Sequence, residues 1–233
     1  DYDPCDFYGG DFEGIEAKLD YLQSIGVTLI YMNPVFEAQS NHRYNTGDYH
    51  RTDDMLGGEE GLKKLIRAAK ARGIGIMLDG VFSHTGDESV YFNRKGNYPG
   101  LGAYQGEGSA YYDWYEFSRF PDKYGCWWGC KSLPEVNETN RGYMAFVAGV
   151  IDHYAELGIE SWRLDVADEL PDEFIAFLRR ELKARAKDGI LIGEVWEDAS
   201  TKQGGCGRRK YTDGRELDGV MNYVFADAVI SFL

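Results

Sequence analysis

The chain has 233 residues, 43% of them hydrophobic and 27% charged, which places it among globular domains with a real core and away from disordered chains. A net charge of −14 argues against nucleic acid as a partner, because phosphate-binding surfaces need clustered Lys and Arg. No apolar run approaches the roughly 18 residues of a membrane span, and Asp1 is not a natural start, so the compartment, cytoplasmic or secreted, stays open.

In chain order, Ile15, Leu19, Leu22 and Ile25 keep a helical period that Gly26 stops. Residues 27–32 read as a buried strand ended by Asn33-Pro34. Leu62, Leu65, Ile66 and Ala69 form the next helical stripe, closed by Gly73, and 74–78 is the following strand, ending at Asp79. Residues 83–140 then break the alternation with Gly, Tyr and Asn and no clear period. A loop of that length inside a domain is usually functional. Its runs Tyr111-Tyr112-Asp113-Trp114-Tyr115 and Cys126-Trp127-Trp128 predict an aromatic loop, not a core element, whose flat rings suit the apolar faces of sugars. Tyr143, Phe146, Val147, Val150, Ile151, Tyr154 and Leu157 make the clearest helix, stopped by Gly158. A strand over 159–166, a helix opening at Pro171, strands over 190–195 and 219–223, and a helix from 226 complete the chain. The four cysteines, Cys5, Cys126, Cys130 and Cys206, are too scattered for a disulfide scaffold, and Cys126-x3-Cys130 has no His or second Cys pair beside it to make a metal clip.

Repeated helix–strand units imply an α/β protein with parallel strands in a covered sheet, either doubly wound or a closed (β/α)8 TIM-type barrel. No Gly-rich phosphate loop follows the first strand, and acidic residues end several strands, at Asp79, Asp165 and Glu194. Barrel active sites are built that way. Five strands are visible, so residues 1–233 read as one partial barrel, about strands two to six of eight. A loop-rich insertion at about 83–140 follows strand three of that barrel.

The strand ends carry chemistry. In Ser161-Trp162-Arg163-Leu164-Asp165 the alternation of a strand puts Arg163 and Asp165 on one side. A guanidinium there favours the carboxylate and predicts a lowered pKa, as a nucleophile needs. Glu194, within Leu191-Ile192-Gly193-Glu194-Val195-Trp196, has apolar neighbours that predict a raised pKa, as a general acid needs. Asp79 and His84 are candidates for hydrogen bonds to sugar hydroxyls. Each feature alone has a commoner structural explanation: an ion pair, a surface Glu, a satisfied buried imidazole, a strand cap. Their joint order on successive strand ends is what points to glycoside hydrolysis, with two carboxyls about 5 to 5.5 Å apart across one anomeric carbon.

These segments resemble the α-amylase family, glycoside hydrolase family 13. Asp79-Gly80-Val81-Phe82-Ser83-His84 is similar to its first characteristic region. Trp162-Arg163-Leu164-Asp165-Val166-Ala167-Asp168-Glu169 is similar to the second, and Gly193-Glu194-Val195-Trp196 to the third. Leu133-Pro134-Glu135-Val136-Asn137 and the segment from Asn41 to Tyr49 match further family motifs. The segments Phe7-Tyr8-Gly9-Gly10-Asp11 and Val220-Met221-Asn222-Tyr223 are close to neopullulanase and cyclomaltodextrinase sequences.

The resemblance implies a retaining double displacement on α-1,4 glucans, with α-1,6 bonds left open. Asp165 would be the nucleophile, Glu194 the acid and base, and Arg163 the group orienting Asp165. Asp79 and His84 would serve the sugar at subsite −1, and Tyr44 would stack under it. It also implies a structural calcium near Gly9 and Asp11 and no organic cofactor, and it allows a homodimer of the full-length parent. The family's fourth region, which supplies a second aspartate, has no match here, which predicts that these residues alone are inactive. Ser83 departs from the Asn usual in the first region, which counts against the family's common calcium site; Asp168 and Asn45 depart from the residues usual at their positions, so preference among starch, pullulan and cyclodextrins stays open.

Two other classes fit less well. A metal-dependent barrel would need a Lys or His base, and Arg163 beside Asp165 would repel a divalent ion. A non-catalytic glucan-binding relative would have no use for the nucleophile–acid pair. An α-glucan transglycosylase or isomerase shares the first half-reaction and is not separated by sequence.

Overall fold

The structure is a computed structural model that describes residues 3–204 and 207–233, so Cys206 lies outside the described residues. Phe12–Glu16 (α1) and Leu19–Ser24 (α2) lead into Leu29–Tyr31 (β1). Phe36–Ala38 (β2) and Thr46–Thr52 (β3) pair antiparallel ahead of Gly58–Lys70 (α3) and Gly75–Gly80 (β4). Phe117–Arg119 (β5) and Lys123–Tyr124 (β6) form a small antiparallel pair within the long loop. Arg141–Leu157 (α4), Ser161–Leu164 (β7), Asp172–Arg185 (α5) and Leu191–Gly193 (β8) follow. The short pair Gln203–Gly204 (β9) and Gly207–Arg208 (β10), then Gly219–Val220 (β11) and Tyr223–Phe232 (α6), complete the described chain. Among the described residues no helix is long and apolar enough to cross a membrane.

Five strands form one sheet in the order β1-β4-β7-β8-β11, all parallel. That order is the chain order. A doubly wound sheet reverses its strand order at a switch point, whereas consecutive β/α units of a barrel add their strands in sequence. The sheet is therefore an arc of barrel type, with α3, α4 and α5 on the crossovers between its strands.

The helices form where their apolar stripes say they should. Leu62, Leu65, Ile66 and Ala69 of α3 are buried, as are Tyr143, Val147, Val150, Ile151 and Tyr154 of α4. Asn140 caps α4 by accepting from the backbone N–H groups of Gly142 and Tyr143, and Gly158 ends it at φ 104, a left-handed value that glycine takes without a Cβ penalty. One expected helix is instead two. The stripe from Ile15 to Ile25 breaks at Ala17-Lys18: Phe12 and Leu19 are buried, Ile15 and Leu22 only partly packed on the core, and Ile25 is exposed, so no continuous buried face holds a longer helix together. The pair β2–β3 is not legible in the sequence. Its strands are short and irregular in register, and Phe36 and Tyr49 on them join a buried aromatic cluster with Phe82, Tyr154 and Trp162.

The long loop divides in two. Trp114 and Tyr115 are buried, and Trp114 packs on Tyr91, Tyr143 and Phe146. The run 111–115 is thus an extension of the core on α4, a correction to the expected aromatic loop surface. It has no sequence period because a single 3-10 turn over Tyr112–Trp114, too short to repeat, carries Trp114 inward. Trp127 and Trp128 stay at the surface.

Candidate active site

Parallel pairing brings the polar residues to one end of the sheet. Asp79 on β4 lies level with Arg163 on β7, and Arg163 lies level with Ile192 on β8. One step further, the N–H of Asp165 donates to the Gly80 carbonyl and that of Glu194 to the Leu164 carbonyl. The register continues past the strands and fixes where both acids emerge. Gly193 is needed just before Glu194, since a Cβ there would sit 2.4 Å from Leu217 and 2.8 Å from Ala167.

Arg163 is the hub. Its Nη1 contacts Asp79 Oδ1 at 2.7 Å and Asp165 Oδ1 at 2.9 Å, and its Nη2 contacts Glu194 Oε1 at 2.9 Å. Three buried carboxyl groups share one guanidinium, whose rigid fork can address several acceptors at once. The Arg163 ion is stabilised accordingly, its pKa lying above its ordinary value despite burial.

Asp79 is saturated. Besides Arg163 it accepts from the Tyr31 hydroxyl at 2.6 Å and the Tyr44 hydroxyl at 3.1 Å, and its side chain is fully buried. It holds Arg163 and the two tyrosines from behind, and both its oxygens accept from them. His84, whose side chain lines the same cleft as Asp165 and Glu194, is also held by protein partners. Its Nε2 faces the Tyr44 carbonyl at 3.1 Å and its Nδ1 the Ser83 hydroxyl at 2.9 Å. The carbonyl only accepts, so these partners assign the proton to Nε2. Burial pushes the imidazole down to about 4, with the Tyr44 hydrogen bond offsetting part of that, so it is neutral at pH 7. His84 fixes the Tyr44 segment. Tyr44 stacks on His42 with centroids 6.0 Å apart and, with Trp127, Trp196, Asp165 and Glu194, lines a cleft of about 350 Å³.

The acids do not carry the expected pKa directions. Asp165 is pushed up to about 7: burial is the largest cause, the Asp79 charge is next, and Arg163 offsets only part. The reason is arithmetic. One cation faces three acids, so Arg163 is already committed to Asp79. Glu194 is held below its ordinary value. Burial raises it, but the Trp196 indole, the Val166 N–H, Arg163 and the Tyr223 hydroxyl together outweigh that. The Val166 N–H donates to Glu194 Oε2 at 3.0 Å and the Tyr223 hydroxyl to Oε1 at 3.2 Å. Val166 adopts φ 41, a strained value for a β-branched residue, and that turn accompanies the contact with Glu194. Trp196 was in view two residues on, but Val166 and Tyr223 come from other elements and left no local signal.

Gly9 and Asp11 lie just ahead of α1. Asp11 caps α1, its Oδ1 accepting from Gly14 N–H at 2.7 Å. Among the described residues no group of three or more His, Cys, Asp or Glu could hold a metal. Calcium takes about six to eight oxygens, so Gly9 and Asp11 would supply only part of such a shell.

Sequence reasoning missed Tyr31, Tyr223 and the way Glu169 is used. Tyr31 closes β1, donates to Asp79 and lies 5.7 Å from the Arg163 guanidinium carbon. The only signal was its place at a strand end.

Over residues 3–233 the chain matches the family described as Alpha amylase, catalytic domain. It is 40% identical over 250 residues to an amylopullulanase of Thermoanaerobacterium saccharolyticum, covering 98% of this chain and 19% of that protein. It is 35% identical over 236 residues to a cyclomaltodextrinase of Geobacillus thermopakistaniensis, covering 98% of this chain and 37% of that protein. Among solved structures, the cyclic α-maltosyl-(1→6)-maltose hydrolase of Arthrobacter globiformis, in complex with cyclic α-maltosyl-(1→6)-maltose, aligns with a TM-score of 0.87 at 31% identity, over 98% of this chain and 50% of that one. The chain therefore spans well under half the length of these curated relatives.

Proposed function

Because the chain belongs to the α-amylase catalytic-domain family, we propose that it forms strands two to six of a (β/α)8 barrel in a retaining glycosidase acting on α-1,4, and in some substrates α-1,6, bonds of starch-like glucans. The observation that carries this reading is the single guanidinium bridging Asp165 and Glu194 at 2.9 Å each. It holds two carboxyls from neighbouring strands at the wall of one cleft.

Asp165 attacks the anomeric carbon as the glycosidic bond breaks, and Glu194 gives its proton to the departing oxygen. A water then loses its proton to Glu194 and attacks the glycosyl-enzyme, releasing Asp165 and retaining the α configuration. Near pH 7 Asp165 is about half protonated while Glu194 is ionised, and the pKa values belong to the pair. Chemistry needs that proton on Glu194. Positive charge developing at the anomeric carbon stabilises the Asp165 anion and thereby shifts the proton toward Glu194. Tyr44 presents its ring to the cleft while its hydroxyl stays on Asp79.

The second aspartate implied by the family's fourth region has no counterpart in residues 1–233, so these residues alone are expected to be inactive and the complete gene product active. The names of the relatives favour maltodextrins, pullulan and cyclodextrins as the substrates to try. Product analysis of the complete gene product on maltoheptaose, pullulan and β-cyclodextrin tests the substrate class and separates hydrolysis from transglycosylation. Trapping with a fluorinated glycosyl donor tests the mechanism, and an adduct on any residue but Asp165 overturns the assignment.

A further inference from the structure

On one side of the cleft two indoles are stacked, Trp127 and Trp128, with ring centroids 5.1 Å apart and planes inclined by 16°. Both ring N–H groups donate to a single carboxyl group: Trp127 Nε1 to Glu169 Oε2 at 2.9 Å, and Trp128 Nε1 to Glu169 Oε1 at 3.0 Å. Trp128 is 66% exposed. Its backbone lies at φ 48, ψ 29, a left-handed conformation that a bulky residue adopts only under constraint. An exposed ring in a strained turn adds nothing to a core. What Glu169 adds is fixed orientation, which a ring needs to stack on the apolar face of a pyranose.

The side of the cleft follows from Trp196. It stands two residues after Glu194 and meets Trp128 edge-on at 5.6 Å. A general acid must lie beside the leaving oxygen, so the indole wall continuous with Glu194 lies on the leaving-group side. From this geometry we infer that Glu169 is a positioning residue that locks Trp127 and Trp128 into a platform for the sugar ring on the leaving-group side of the scissile bond. The inference deepens the glycosidase reading and depends on it. Glu169 acts through the rings, because both its oxygens are taken by indole N–H groups.

The rival role is a brace joining the long loop to the turn after β7. The complete gene product and its Glu169→Gln and Trp128→Ala variants separate the two. A Gln amide nitrogen faces one indole N–H donor with another, so it releases one ring while keeping size. Maltoheptaose places sugars on the leaving-group side; α-maltosyl fluoride places only fluoride there. Both variants should raise KM for maltoheptaose roughly tenfold, the size of one lost aromatic contact of about 1.4 kcal/mol, with kcat/KM for α-maltosyl fluoride unchanged. A proportional fall on both substrates makes Glu169 a structural brace and ends the inference. Should Glu169→Gln not fold, Trp128→Ala, which leaves the Trp127 bond in place, gives the same discrimination. Should the wild type not turn over α-maltosyl fluoride, the glycosidase reading fails. Tryptophan fluorescence titrated with maltotriose then decides the platform: weaker binding in Glu169→Gln supports it, and equal affinity overturns it.

Discussion

Asp165→Asn should stabilise the fold, and by an amount that grows with pH. The carboxyl of Asp165 goes from an ordinary value of 3.8 to about 7 on folding, chiefly through burial. A raised folded value means the folded state holds the proton more tightly. The stability tied to that proton is full below the unfolded pKa and is lost as pH climbs from about 4 through about 7. Each pKa unit is worth about 1.36 kcal/mol, so linkage gives a loss of roughly 2.7 kcal/mol between pH 5 and pH 8 from this residue. Asparagine has the same shape and no charge, leaves Arg163 with two acids instead of three, and should not show the loss. Glu194 does not confuse the comparison. Its pKa is lowered, so its contribution is present above its ordinary value and disappears only as pH falls below the window. Urea unfolding of wild type and variant at pH 5 and pH 8 measures the difference of differences. It should reach about 2 to 3 kcal/mol in favour of the variant at pH 8, or roughly 5 to 10 °C in Tm, while glycosidase activity collapses. Parallel pH profiles would refute the claim that Asp165 is held against its own charge.

Three further outcomes follow from the same contacts. Arg163→Lys supplies charge without the fork that reaches Asp79, Asp165 and Glu194 together, so kcat/KM should fall by about a hundredfold or more. Near-normal kinetics would show that the bridge is incidental. Tyr31→Phe removes a 2.6 Å hydrogen bond to buried Asp79 and should cost about 1.5 to 3 kcal/mol in denaturant unfolding, with no change expected in a Tyr31→Phe/Asp79→Ala pair beyond the loss from Asp79→Ala alone. Titration of the complete gene product with calcium should raise Tm, and Asp11→Asn should abolish the rise; a Tm that calcium leaves unmoved would remove Gly9 and Asp11 as ligands.

The sequence by itself determined the alternation of helix and strand, because apolar stripes such as that of α4 have one period and one buried face. It also determined which residues stand at the strand ends, since Arg163, Asp165 and Glu194 are fixed by distance along their own strands. Tertiary structure decided the rest. The pKa directions of Asp165 and Glu194 depend on burial and, besides the nearby Trp196, on Asp79, Val166 and Tyr223, which reach them from other elements across up to 86 positions of chain, so reading local apolarity and charge predicted the opposite. Asp79 and His84 proved to be enclosed by partners that only the fold supplies. The loop aromatics split between core and cleft for the same reason: burial of an irregular segment is set by what packs over it, as α4 does over Trp114, and leaves no period to read.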